Sequence, residues 1–284
     1  MNLTYIIGVV ISFAVMVVGM MFSTNPETQQ ITMDIKQVGN FLDMSSVFIT
    51  IGCTIAIIVA SFPPSQLKAI PKHFKTLMNT KKYNPISVID ELVELAQVAR
   101  KSGLLALEEK GNQQEDPFFK QCIMLIVDNN EADQVREIMM NDIEQSSARH
   151  EAAAGMYDRG SSIAPAFGMV GTLVGLINML KGMNMDSAGG ASNIGTSMGT
   201  ALITTLYGCV LAHMIFGPIA NQLRQRDEEE TLCKLIIVEG IMSIQSGANP
   251  KFLREKLMTF MSQQQRDGGD GGKKGKKKGK GGDE

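Results

Sequence analysis

Gly160-Ser-Ser-Ile-Ala-Pro165-Ala-Phe-Gly168-Met-Val-Gly171-Thr172-Leu-Val-Gly175-Leu-Ile-Asn-Met-Leu180 runs from Arg159 to Lys181 without one Asp, Glu, Lys or Arg. A helix rises about 1.5 Å per residue, so roughly 20 residues cross a hydrocarbon core of about 30 Å. This stretch is long enough. Three more charge-free windows lie in the chain: residues 1–26, Met44–Leu67, and the residues between Asp186 and Arg224. Their apolar parts predict four transmembrane helices, at about 3–22, 44–62, 161–180 and 199–221. Such spans occupy only about 80 residues, which explains a mean hydropathy of just +0.03. The first window has no Lys or Arg before its apolar run, and that run is longer than the apolar part of a signal peptide. It is expected to remain as an anchor.

Orientation follows from the basic residues. Residues 63–160 hold 12 Lys and Arg, and residues 222–284 hold 13. The segments 23–43 and 181–198 hold one each, Lys36 and Lys181. An even number of spans with this bias places both termini and the long insert in the cytoplasm. The expected fold class is thus an all-α membrane protein: four transmembrane helices, a large helical cytoplasmic insert between spans 2 and 3, and a helical cytoplasmic C-terminal segment. In domain terms, 1–62 and 161–221 are membrane hairpins, 63–160 a cytoplasmic helical domain, 222–265 a cytoplasmic helix, and 266–284 a disordered tail.

Within the insert, Val88, Leu92, Leu95 and Val98 recur at helical intervals and predict a helix over Val88–Leu107, with Gly103 its weak point. Asp116–Met139 and Ala132–Met156 read as helices too, with Cys122–Val127 as a buried stripe. Asp227–Phe260 reads as one long amphipathic helix continuing the fourth span. Phe62-Pro63-Pro64-Ser65 ends the second span, and Pro85 and Pro117 mark loops. The tail after Arg266 is Gly, Lys and Asp with a final Glu284. It cannot bury enough apolar surface to fold, although its lysines could touch anionic membrane lipid.

The composition excludes several function classes. With 27 basic and 29 acidic residues, nothing indicates a nucleic-acid binder. Cys53, Cys122, Cys209 and Cys233 have no metal-type spacing and are expected as buried free thiols. No phosphate-binding loop is present, and His73, His150 and His213 are scattered, so no catalytic residues, metal or cofactor are assigned and no enzyme is expected. The spans contain no Asp, Glu, Lys or Arg, and His213 is their only ionisable candidate for an ion path. An ion path would therefore need a carboxylate from a partner subunit. What the spans do carry is small and hydroxylated. Gly171 and Gly175 make a GxxxG face with Gly168 one turn earlier, which allows a close helix approach. Pro165 and Pro218 each delete one helical hydrogen bond and permit a kink. Thr172 and Thr205 either replace part of an ion's hydration or bond back to their own helices.

Two short spans, a long insert, then Ala164-Pro165-Ala-Phe-Gly168-Met-Val-Gly171-Thr172-Leu-Val-Gly175-Leu and Leu202-Ile-Thr204-Thr205-Leu-Tyr207-Gly208 resemble the MotA family of flagellar motor stator subunits. In the insert, Arg100-Lys101-Ser-Gly103-Leu-Leu-Ala-Leu107-Glu108-Glu109 is similar to that family's charged cytoplasmic segment. The resemblance covers residues 1 to about 260 and implies a torque-generating ion channel of the bacterial inner membrane. It implies a homopentamer of this chain around a MotB dimer, whose transmembrane Asp would complete the path. By the same resemblance, Thr172, Thr205 and its neighbour Thr204 would line the path. Pro165 and Pro218 would couple ion passage to conformation. Arg100 and Glu108, helped by Lys101 and Glu109, would act on the rotor protein FliG. Spacing alone puts Arg100 and Glu108 two turns apart on one exposed helical face, which is also what a merely solvated face looks like. The implied ion is H⁺, with Na⁺ the alternative because the Thr204-Thr205 pair is similar to sodium-type relatives. His213 stands where a polar amide is expected, and its role stays open. The rival readings are an ExbB or TolQ subunit, which has three spans and lacks the Arg-Lys…Glu-Glu segment, and a non-conducting membrane scaffold.

Overall fold

The computed structural model describes residues 3–24, 31–78, 83–183, 190–263 and 266. The expected disordered tail past Arg266, and residues 184–189 of the 181–198 segment, lie outside the described residues. Helices dominate. In chain order they are α1 (Leu3–Met21), α2 (Met44–Ser46), α3 (Cys53–Ser61), α4 (Pro64–Leu67), α5 (Ile70–Met78) and α6 (Pro85–Ser102). Then come α7 (Leu107–Asn112), α8 (Pro117–Val127), α9 (Ala132–Met183), α10 (Gly190–Val210), α11 (Gly217–Gln245) and α12 (Pro250–Met258). Strands β1 (Phe22–Thr24) and β2 (Ile31–Met33) form a small antiparallel ribbon after α1. Three of the described helical runs are long and apolar enough to cross a membrane: Met44–Ser61, Ala132–Gly182 and Ile194–Gln245. Tyr5–Met21 is a shorter apolar helix.

The chain divides into two compact units, residues 1–81 with 150–225, and residues 82–149 with 226–284. The first has a core of Ile58, Leu77, Ala154, Met156, Tyr157, Ile219, Ala220 and Leu223, with Phe62, Ile70 and Phe216 packed on it. Two π-helical stretches lie here, Val47–Gly52 between α2 and α3 and Leu211–Phe216 between α10 and α11. The second is Pro218's doing. A proline at the start of α11 cannot donate its backbone hydrogen bond and crowds the preceding turn. The wider turn absorbs that: Ala212 O accepts from Gly217 N–H, five residues on.

The second unit is a conventional apolar core. Ile89, Leu92, Leu107, Ile123, Ile126, Val135, Met139, Ile236, Ile241, Leu253 and Leu257 are buried together. Each contributes about 1.5–3 kcal/mol by leaving water. Asn84, Asp116 and Asn249 accept bonds from the first turns of α6, α8 and α12, and each stands just ahead of a proline.

Three expected helices are shorter than periodicity predicts. α6 stops at Ser102 because Gly103 turns the backbone to φ +83, ψ 169; a 3₁₀ turn at Leu104–Ala106 leads into α7. The helix expected over Asp116–Met139 breaks after Val127, where Asn129 has φ 57 and Asn130 donates its side-chain amide to Leu125 O. The helix expected over Asp227–Phe260 breaks at Gly247, φ +73. There Gly247 N–H bonds to Ile244 O and Ala248 N–H to Ser243 O, the paired bonds of a glycine helix stop. The thiols also divide: Cys122 and Cys233 are buried, Cys53 is half-buried, and Cys209 is exposed in the single chain, against the expectation of four buried ones.

Candidate functional site

Glycines set the contact between α9 and α10. A methyl group on Gly171 would collide with the Thr204 side chain; one on Gly175 would lie 2.7 Å from Ala201 Cβ. On Gly208 it would lie 2.7 Å from Ala164 O and 3.1 Å from Pro165 Cα. The helices therefore meet backbone to backbone, as small residues allow in lipid. Pro165, Gly168, Gly171 and Thr204 come together at this contact.

The threonines divide. Thr172 is half-buried and donates to Met169 O at 2.6 Å; Thr204 is buried and donates to Ala201 O at 2.9 Å. Both follow the backbone-bonding alternative for their protons, and both keep lone pairs. Thr205 differs: its Oγ1 is buried and has no hydrogen-bond partner among the described residues. A buried hydroxyl in that state is costly unless something polar completes it.

Sequence reading missed a second hydroxyl row. Ser46, Thr50 and Thr54 are fully buried. Ser46 Oγ is 3.4 Å from Thr200 O, and Thr50 donates to Thr204 O at 3.3 Å. Thr54 donates back to Thr50 O at 2.6 Å. Asp43, just ahead of this row, accepts from the Ser46 hydroxyl and from Ser46 N–H, which holds its carboxyl below the usual range. Tyr207 OH donates to Phe41 O at 2.6 Å. The signal was the spacing of Asp43, Ser46, Thr50 and Thr54, which puts their side chains along one helical stripe.

Pro165 lies inside α9, and Pro218 follows the π-helical turn. Ser161 donates to Ala212 O at 3.0 Å, joining α9 to that turn. His213 sits within the turn and is exposed. Where the charge-free windows end, Arg224 makes a two-toothed contact with Glu151, 2.9 and 2.7 Å, and also pairs with Asp158.

In the second unit Arg100 and Lys101 end α6, and Glu108 and Glu109 begin α7. Each pair complements its helix dipole. All four are exposed, and none forms an ion pair among the described residues. They do not share one helical face, as spacing had suggested: Gly103 separates their helices. Lys110 bridges α7 to α6 through Glu94 at 3.2 Å.

Comparison with known proteins agrees over nearly the whole chain. Residues 110–235 match the MotA/TolQ/ExbB proton channel family. Motility protein A of Borreliella burgdorferi is 38% identical over 266 residues, covering 94% of this chain and 96% of that one. Chemotaxis protein PomA of Vibrio alginolyticus is 34% identical over 94% of this chain and 98% of its own. Among solved structures, the C. jejuni MotAB structure matches with a TM-score of 0.80 at 27% identity, over 93% of this chain and 97% of that one. The chain belongs to the MotA/TolQ/ExbB proton channel family.

Proposed function

We infer that this chain is a stator subunit of the bacterial flagellar motor. With a MotB-type partner it forms a channel in the inner membrane, and inward flow of H⁺, or of Na⁺, produces torque on the rotor. The relatives' names, motility protein A and chemotaxis protein PomA, support the setting, as does likeness to a MotAB structure. The observation that carries the mechanism is a path with hydroxyls but no carboxylate. The Met44–Ser61, 160–180 and 187–223 stretches hold no Asp, Glu, Lys or Arg, with His213 their one ionisable side chain, while Thr205 Oγ1 is buried without a partner among the described residues. An intramembrane acid from a second protein is what such a path requires.

In this reading α1 supplies the first of four spans, and both termini and residues 63–160 face the cytoplasm. Five copies surround a MotB dimer. Thr172, Thr204 and Thr205 border the ion path, and Pro165 and Pro218 convert ion binding into helix movement. Arg100, Lys101, Glu108 and Glu109 form a bipolar charged surface for FliG, with the basic pair before the Gly103 turn and the acidic pair after it.

Affinity purification of the tagged chain from its native membranes tests this reading. The expected result is one co-purifying protein with a single transmembrane helix bearing an Asp, and deletion of the gene should stop swimming while leaving filaments in place. Purification without such a protein, together with undiminished swimming, contradicts it.

A further inference from the structure

Between Asp43 and Asp90 the chain has no Asp or Glu, yet it carries Lys68, Lys72 and Lys75 at spacings of four and three. Lys68 keeps helical backbone angles at the end of α4, and Lys72 and Lys75 lie on α5. Three residues apart, Lys72 and Lys75 share one side of α5, and Lys68 stands two residues before its start. All three are exposed, and none forms an ion pair among the described residues. The opposite side of α5 is held down: Leu77 is buried and Ile70 packs against the core of Ala154, Met156, Tyr157, Ile219, Ala220 and Leu223.

Those core residues fix the depth of α5. Met156 and Tyr157 stand just before the charge-free window that follows Arg159, and Ile219 to Leu223 just before Arg224 closes the last window. α5 therefore packs where the apolar windows end, eight to sixteen residues beyond Phe62. Phe74, 46% exposed, lies beside the lysines. A basic ridge flanked by an aromatic at that level matches the phosphate layer of a bilayer in charge and in chemistry.

We propose that the Lys68–Lys72–Lys75 ridge is a docking site for the headgroup phosphates of anionic phospholipids in the cytoplasmic leaflet, with Phe74 entering the acyl boundary beside it. This rests on the inner-membrane placement inferred above, but not on the motor activity. Three ammonium groups without an ion pair among the described residues, on a stretch of chain that carries no carboxylate of its own, would hold lipid and anchor α5 against the bilayer. A site of this kind steadies the inner ends of the helices that carry the threonines.

The test is lipid retention by the stator complex purified in neutral detergent. Native mass spectrometry would follow titration with phosphatidylglycerol and, separately, phosphatidylcholine. The wild-type complex should retain phosphatidylglycerol preferentially. K68Q/K72Q/K75Q should lower that retention at least about tenfold, and K68R/K72R/K75R should keep it. Replacing the six lysines of residues 273–280 by Gln should leave it unchanged. If the triple Gln variant fails to insert, Lys72→Gln and Lys75→Gln alone should each lower retention about fivefold. Unchanged retention in the triple variant, or in both single variants, overturns the proposal, as does loss of retention in the tail variant. Inorganic phosphate displacing the lipid completely at equal concentration also overturns it, because the ridge would then be a free-anion site. Swimming assayed in the same strains reads the motor separately, so lost retention with normal swimming supports the docking site and leaves the motor reading standing.

Discussion

At Gly103 the backbone takes φ +83 and ψ 169, a region that side chains with a Cβ enter only at a cost of about 1–3 kcal/mol. This one residue decides how the charged segment is presented, since it ends α6 at Lys101-Ser102 and allows α7 to start with the acidic pair. Gly103→Ala should lower the stability of the purified chain by that amount, read as a drop in Tm, even though a Cβ there meets open space. Arg100 and Glu108 are a different case. Both are exposed, and exposed charges contribute little to folding, typically under about 1 kcal/mol. Arg100→Glu should therefore leave abundance and membrane insertion intact and still impair swimming, because like charges facing each other across an interface cost specificity. A reciprocal reversal on the rotor protein should restore part of it. Reduced abundance of Arg100→Glu, or no rescue by any rotor reversal, would return these charges to the role of a solvated surface.

The elements divide into those legible in the sequence and those that were not, for physical reasons. A run of twenty residues without charge admits few readings, so the apolar helices were plain. Helical periodicity is weaker at marking ends. Val98, Leu104 and Leu107 keep apolar spacing across Gly103, and nothing in that spacing reveals a positive φ. The same holds at Asn129 and Gly247. Of the candidate site, the GxxxG face and Pro165 could be read because small residues in an apolar helix have few uses. The row of Ser46, Thr50 and Thr54 had only its spacing as a signal, and that spacing goes unread because isolated hydroxyls in a span more often bond their own backbone. The unpartnered Thr205 hydroxyl exists only in three dimensions. Two elements yield predictions. Pro165 lies inside α9 where a methyl group on Gly208 would meet its Cα, and Pro165→Ala restores a helical hydrogen bond. Assembly should persist while swimming speed falls, and unchanged swimming would make the proline purely structural. α5 carries His73, whose ring nitrogen Nδ1 lies 3.2 Å from Tyr157 OH. Burial first, then the charges of Lys72 and His150, lowers the imidazole below its ordinary value of 6.5. A lowered base means the unfolded chain binds more protons, so its contribution is full above about pH 6.5 and fades as pH falls to the lowered value. Hydrogen-exchange protection factors across α5, which correct each rate for the intrinsic pH dependence of amide exchange, should fall on acidification through that window, and His73→Phe should flatten the change.

At the scale of the molecule, two compact units carry two kinds of chemistry. One joins its helices through glycines and hydroxyls, which suits a medium where burial against lipid gains nothing and close packing must do the holding. The other has an ordinary aliphatic core with charges on its surface. In the proposed function the first unit is an ion path lacking its acid. Membrane-potential-driven ion flux into proteoliposomes tests it most directly, comparing the chain alone, the chain with its MotB-type partner, and the chain with that partner's intramembrane Asp changed to Asn. Flux is expected only in the second preparation, with the other two no different from empty vesicles; a clear current through the chain alone would show that the path needs no acid from a partner.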